Sequence, residues 1–245
     1  MKTTTVMIPT YNESENIQNL IKEILDLKIP GHELNVLVVD DKSPDGTGKT
    51  VETMGKNNPK IKLLTRSRRG RGTAGIDGFI EALKSKPDYV IEMDADFSHD
   101  PKYIPSLITA ADDGADLVIG SRFIPGGADM DRGPLRKVLS LAAGVYVRTV
   151  LGVKLKDVTA GYRLYKRKVL ESIELQHMIS EGPSIVQETL YKVFLKGFKI
   201  VEVPIIFVDR RLGSSKLDSK KLAECLYMSL RIRTMNTTGK LFKEL

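Results

Sequence analysis

The chain's 245 residues suffice for one large α/β domain, or one domain with a short tail; its 41% hydrophobic and 28% charged composition is that of an ordinary water-soluble globular protein. The lone cysteine, Cys225, excludes an internal disulfide framework and fits a reducing compartment, and no Cys/His cluster has zinc spacing. The net charge of +7 is uneven: residues 1–120 hold 19 Asp+Glu against 15 Lys+Arg, whereas residues 121–245 hold 23 Lys+Arg against 12 Asp+Glu. The second half is therefore either a solvated basic surface or one that meets an anion such as nucleic acid, acidic headgroups or a phosphorylated substrate.

The opening MKTTTVMIPTYNE lacks the apolar stretch of a secretory signal. Within it, Thr4 to Ile8 reads as a buried strand, as does Leu34 to Val39 further on. Between them, Ile17, Leu20, Ile21, Ile24 and Leu25 recur at helical spacing, so a helix is predicted over Ser14 to Leu27, with Ser14 as its cap. A helix from Gly46 to Met54, a strand from Ile61 to Leu64 and a helix from Thr73 to Leu83 follow. Tyr89 to Met93 and Leu117 to Ile119 complete the strands of the first half. Strands separated by helices predict a mostly parallel α/β sheet with helices on both faces.

The second half is less regular. Phe123 to Gly133 reads as a Gly/Pro/Asp-rich loop long enough to act as a lid. Leu135 to Leu151 is a basic, apolar helix, Glu188 to Leu195 another, and Ile200 to Val208 a strand. Asp209 to Ser219 is a polar, glycine-containing loop, and Leu222 to Met235 a basic amphipathic helix. No run approaches the about 20 apolar residues of a spanning helix. The longest, Val138 to Val147, is closed by Lys137 and Arg148. The predicted organisation is a single domain over 1–220 with a helical appendage over 221–245.

In an open α/β sheet, ligands bind at the carboxyl ends of strands. Acidic residues stand at three such ends: Glu13, Asp40-Asp41, and Asp94 with Asp96. Carboxylates brought together need a cation or hydrogen-bond donors, which suggests one shared site. An extended backbone would point Asp94 and Asp96 the same way, and hard carboxylate oxygens suit Mg²⁺ or Mn²⁺. The competing reading is that these acids cap the turn begun by Ser98, Asp100 and Pro101.

Several segments in order carry a resemblance. PTYNE (9–13), VDDKSPDGT (39–47), MDADFSHDP (93–101) and GSRF (120–123) resemble the GT-A glycosyltransferases of family 2. DVTAGYRLYKRKVL (157–170), EVPIIFVDR (202–210) and GSSK (213–216) narrow this to the dolichol-phosphate mannose synthases. The resemblance spans about residues 4–220 and implies a GT-A, Rossmann-like fold. It implies transfer of mannose from GDP-mannose to dolichyl or another polyprenyl phosphate with inversion, assisted by Mg²⁺ or Mn²⁺. UDP-glucose-dependent polyprenyl-phosphate glucosyltransferases share most of these motifs and are the alternative.

Position by position, the resemblance assigns Pro9, Tyr11, Glu13, Val39 and Asp41 to the nucleotide, with Asp41 accepting from the base and Tyr11 lying against base or ribose. Asp94, Ala95 and Asp96 would face the diphosphate, with Asp96 the main metal ligand and Asp94 nearby. Ser98 stands where some relatives carry a Gln that reaches the metal. Arg122, Arg136, Arg210 and Lys216 would handle the donor diphosphate or the acceptor phosphate, and Ser140 would add a hydrogen bond to the acceptor. Asp96, Arg122 and Arg136 are thus the expected catalytic residues. Lys42 replaces a Gly common in the family. The run Arg66-Ser67-Arg68-Arg69-Gly70-Arg71-Gly72 is more basic than usual, either steering anions inward or merely solvated. His99 is expected to order the metal loop and His177 to lie on the surface.

A basic nucleic-acid-binding module is a reading from another class. The chain lacks an aromatic-interleaved basic strand, with aromatics at only 6%, so nucleic acid is not the expected partner. The missing tryptophan excludes the Gln-x-x-Arg-Trp motif of processive polysaccharide synthases. A lipid acceptor requires a membrane surface. Peripheral attachment at the cytoplasmic face is expected, at the endoplasmic reticulum in a eukaryote or the plasma membrane in a prokaryote. It would run through the basic Leu135–Leu151 and Leu222–Met235 segments, for either of which core packing is the competing reading, or through small membrane-protein subunits.

Overall fold

The structure, a computed structural model, describes residues 1–130, 133–208 and 219–242; for 134–137 and 219–221 it describes the backbone only. The first half alternates strand and helix: β1 (Lys2–Thr10), α1 (Ile17–Asp26), β2 (His32–Asp40), α2 (Thr47–Asn57), β3 (Ile61–Thr65), α3 (Arg71–Leu83), β4 (Tyr89–Glu92), α4 (Ile104–Asp112) and β5 (Leu117–Ser121). The second half adds β6 (Ala128–Met130), α5 (Pro134–Leu151), β7 (Arg163–Lys166), α6 (Arg167–Ser172), α7 (Ile185–Leu195), β8 (Ile200–Pro204), β9 (Ile206–Val208) and α8 (Ser219–Thr237).

Seven strands form the main sheet in the order β3-β2-β1-β4-β7-β5-β8. All pairings are parallel except those of β7, which runs antiparallel to both β4 and β5. The period-2 alternation of each strand divides its side chains between two cores. Val6, Ile8, Val36, Val38 and Ile91 pack with α1 and α4 on one face. Met7, Leu37, Val39 and Val90 pack with α3, α5 and α7 on the other. Helix α3 lies so close to the sheet that a Cβ on its Gly78 would come within 2.8 Å of the Met7 side chain. Helix α8 contributes Met228 and Ile232 to the second core, so the start of the basic tail is packed.

Four details differ from the sequence reading. Helix α1 begins at Ile17 after Asn16, and Ser14 does not cap it: the Ser14 N–H donates to Asp45 Oδ2 at 2.9 Å. The expected strand 200–208 is two strands in different sheets. Pro204 has no N–H to continue the ladder, and the chain crosses at Ile205, whose N–H bonds Ser121 O and whose carbonyl accepts from the Ala128 N–H. The supposed loop 123–133 accordingly contains β6, paired in parallel with β9. Strand β7 and helix α4 were not foreseen. In β7, Arg163 is fully buried and donates to the carbonyls of Val158, Ala160 and Val186, so a charged residue fills a core position.

Among the described residues, no helix is long and apolar enough to cross a membrane.

Candidate active site

The carboxyl ends of β1, β2 and β4 lie side by side, and the register aligns the residues expected to hold a nucleotide. Pro9 pairs with Val39 and Thr10 with Asp40, and the Asp41 N–H continues onto Thr10 O at 3.1 Å. The loops that follow β1 and β2 are tied together by side chain–backbone bonds: Asn12 N–H to Ser43 Oγ at 3.0 Å, Glu13 N–H to Thr47 Oγ1 at 3.0 Å, and Ser14 N–H to Asp45. The Asp45 carboxyl stays below its ordinary range: burial works against this, but the hydrogen bonds from Thr47 and Ser14 prevail. Lys42 is exposed with φ +52°, a left-handed conformation that glycine adopts more readily.

The acids at these ends do different things. Asp40 is buried and accepts from Ser43 N–H at 2.8 Å, Ser43 Oγ at 2.6 Å and Thr10 Oγ1 at 3.0 Å, so it builds its own turn. Glu13 accepts from Asn16 Nδ2 at 3.0 Å, next to α1. Asp41 is buried, paired with the Arg66 guanidinium, and accepts from Gly70 N–H at 2.9 Å. Among the described residues, no three His, Cys, Asp or Glu side chains group as a metal site. Asp40 and Asp41 are engaged by protein donors, and the cation expectation rests on Asp94 and Asp96.

These two residues are not aligned by an extended backbone, because β4 ends at Glu92 and the chain bends through 95–99. Asp96 is buried and accepts from Ser98 Oγ at 2.5 Å and Ser98 N–H at 3.1 Å. Ser98 thus orients Asp96. Asp94 is 39% exposed and meets Arg71 Nη2 at 3.1 Å. His99 shapes the bend: its buried Nδ1 accepts from the Asp94 N–H at 2.9 Å, and its ring stacks on Tyr162 at 4.9 Å. Burial pushes the His99 pKa down from 6.5 against the pull of Asp94 and Asp96, so the ring is neutral with its proton on Nε2. Ala95 is buried between the two acids.

The basic run 66–71 lies across these strand ends. Arg66 holds Asp41, reaches Asp77 with Nε at 2.7 Å and Thr73 Oγ1 with Nη2 at 2.7 Å. Arg69 covers the Tyr11 ring at 4.0 Å from its centroid and donates to the Tyr11 hydroxyl. Arg71 bridges Glu92 and Asp94. Sequence reasoning treated the run as a whole and missed these separate pairings; the alternation of arginine with glycine was the available signal.

Arg122 is buried at the end of β5. Its Nε and Nη2 donate to Asp157 at 2.7 and 2.8 Å, and its own N–H donates to the same carboxylate at 3.1 Å. Asp157, at the head of the 157–170 motif, was not singled out from sequence. Burial opposes ionisation of Asp157, yet the Arg122 bonds hold its carboxyl below the ordinary 3.8. Arg136 lies in the first turn of α5, with its side chain outside the described residues, and Ser140 lies one turn further on, partly buried. Arg210 and Lys216 lie outside the described residues. His177 is at the surface, with Nδ1 3.6 Å from Glu174.

Comparison with known proteins gives the family and the fold. Residues 5–174 match the model of glycosyl transferase family 2. The chain belongs to this family. It is 41% identical over 226 residues to the polyprenol monophosphomannose synthase of Mycolicibacterium smegmatis, covering 91% of this chain and 84% of the relative. It is 42% identical over 221 residues to the undecaprenyl-phosphate mannosyltransferase of Micrococcus luteus, covering 90% and 89%. Among solved structures it resembles the glucosyl-3-phosphoglycerate synthase of Mycobacterium tuberculosis in complex with Mn²⁺, UDP-glucose and phosphoglyceric acid. The TM-score is 0.69 at 19% identity, over 95% of this chain and 79% of that one. The likeness establishes the GT-A fold. This family 2 glycosyltransferase resembles these polyprenyl-phosphate mannosyltransferases across nine-tenths of its length, and the dolichol-phosphate mannosyltransferase of Pyrococcus furiosus at 36% identity over 96% of this chain and 64% of that relative.

Proposed function

We propose that this glycosyltransferase moves a mannosyl group from GDP-mannose to a polyprenyl phosphate such as dolichyl phosphate, inverting the anomeric centre. The observation that carries the reading is the row of β1, β2 and β4 strand ends, with the nucleotide-side residues partly buried at β1 and buried at β2, and the Asp94/Asp96 pair at the third. The relatives' activities supply the sugar and the acceptor class.

Asp94 and Asp96 suit a hard divalent cation. They offer carboxylate oxygens at the mouth of the sheet, and two protein carboxylates completed by water and phosphate oxygens is the usual set for Mg²⁺ or Mn²⁺. When bound, the cation would neutralise charge on the departing diphosphate. Ser98 and His99 fix the two acids, and Tyr11 would lie against the nucleoside beside the buried Val39 and Asp41 at the end of β2. A phosphate monoester is already anionic near neutral pH, so the acceptor needs no carboxylate base. Arg136, Arg210 and Lys216 would offset repulsion between the acceptor phosphate and the donor diphosphate, with Ser140 adding a hydrogen bond. Arg122, turned on Asp157, would act by positioning the chain that follows β5.

Docking at the cytoplasmic face of a membrane accompanies this reading. Val138, Leu141 and Val145 are exposed along α5, and Tyr227 and Leu230 along α8, beside Arg148 and Arg231. Residues 1–220 would be the transferase unit and 221–245 an appendage packed on it.

A panel of nucleotide sugars with polyprenyl phosphate, in Mg²⁺ and in Mn²⁺, tests the proposal. Turnover should be greatest with GDP-mannose and vanish on chelation. Preference for UDP-glucose would overturn the donor, and undiminished turnover in chelator would overturn the cation.

A further inference from the structure

Arg71 is the first residue of α3, and its backbone is pinned. The N–H groups of Gly72 and Thr73 donate to Glu181 O at 3.0 and 3.3 Å, and a Cβ on Gly72 would come within 2.5 Å of Gly182 O. Freedom is therefore confined to the side chain. The guanidinium spans two carboxylates of different character. Nη1 lies 2.7 Å from Glu92 Oε1, and Nη2 lies 3.1 Å from Asp94 Oδ1. Glu92 is 3% exposed and Asp94 39%, with Arg71 itself 29% exposed.

The asymmetry has a consequence. Removing a partner from a buried carboxylate leaves an uncompensated charge and is strongly unfavourable, so Glu92 anchors Arg71. Exchange at Asp94 leaves Arg71 compensated by Glu92 and places the freed N–H at the solvent-facing mouth of the site. Asp94 is also an acid to which we assign the divalent cation, and a guanidinium and a divalent cation compete for its oxygens.

We propose that Arg71 is a positioning residue that stands in for the cation at Asp94, anchored by Glu92, until the nucleotide arrives with the metal. The cation displaces Nη2 from Asp94, a phosphate oxygen of the nucleotide satisfies the freed N–H, and cation affinity therefore depends on the nucleotide. The inference rests on the reading of Asp94 and Asp96 as cation ligands and names how that site is kept closed to metal alone.

The test is Mn²⁺ binding, followed by the paramagnetic resonance of the free ion, with and without GDP. Wild type, Arg71→Lys and the double variant Arg71→Gln/Glu92→Gln are compared, each checked for fold by circular dichroism. A lysine ammonium is a point charge that can serve Glu92 but cannot fork to Asp94, and the double variant removes the buried charge together with its partner. Both variants should bind Mn²⁺ without GDP about tenfold more tightly than wild type, and the gain from adding GDP should shrink by a similar factor. A purely structural role for Arg71 would move stability and leave this ratio alone. Folded variants that bind Mn²⁺ alone no tighter than wild type would overturn the proposal. Wild type that binds no Mn²⁺ even with GDP would overturn the cation reading beneath it.

Discussion

The ends of β2 and β4 look alike in sequence, each a pair of acids after an apolar strand, and the protein uses them differently. At β2, Asp40 and Asp41 are both buried, one closing a turn onto Ser43 and Thr10, the other locked to Arg66 and the Gly70 N–H. At β4, Asp96 is oriented by Ser98, and Asp94 stays partly exposed and meets the long side chain of Arg71. At β2 both acids are engaged by the loops they anchor. An acid held by a side chain at the mouth remains open to exchange with a ligand.

That contrast can be broken by substitution. Asp96→Ala should lower kcat/KM by about a thousandfold, equivalent to about 4 kcal/mol of transition-state stabilisation, with an unchanged melting temperature. Asp157→Ala is the opposite case. It strands the buried Arg122 charge and should cost about 3–5 kcal/mol of stability, measured by urea unfolding. The same pair sets an acid limit. Because the folded pKa of Asp157 lies below 3.8, its stabilisation is complete above that value and is lost as pH falls through the folded pKa. Asp157→Asn should flatten that part of the acid-denaturation profile. Asp40→Asn should cost about 1–3 kcal/mol through weakened buried hydrogen bonds, while folded protein keeps most of its activity.

The smallest effect belongs to the far end of the sheet. There Asp112 accepts from Lys2, Tyr89 and His32, which together outweigh burial and hold its carboxyl at about 2. The cluster is partly solvated, so Asp112→Asn should lower stability by less than about 1 kcal/mol at neutral pH, an effect that disappears as pH falls through about 2.

The first half of the fold was legible because its strands are apolar runs and its helices keep a 3.6-residue period, as in Ile17 to Ile24. The second half was less so, for physical reasons visible in single residues. Arg163 fills a core position by bonding three carbonyls, which periodicity counts as polar surface. Pro204 ends one strand and a second begins two residues later, a break that a continuous apolar run conceals. At the candidate site the acids were legible and their partners were not. Arg71, Glu92 and the separate duties of Arg66 and Arg69 depend on the sheet order β2-β1-β4, and Asp157 on the pairing of β5 with β7.

The difference between the two strand ends is tested most directly by titrating GDP into wild type, Asp96→Ala and Asp40→Asn, each with and without Mn²⁺. Mn²⁺ should tighten GDP binding to wild type and to Asp40→Asn and should have no effect on Asp96→Ala. Full Mn²⁺-dependent tightening in Asp96→Ala, or its loss in folded Asp40→Asn alone, would contradict the assignment of the cation and the leaving diphosphate to the end of β4.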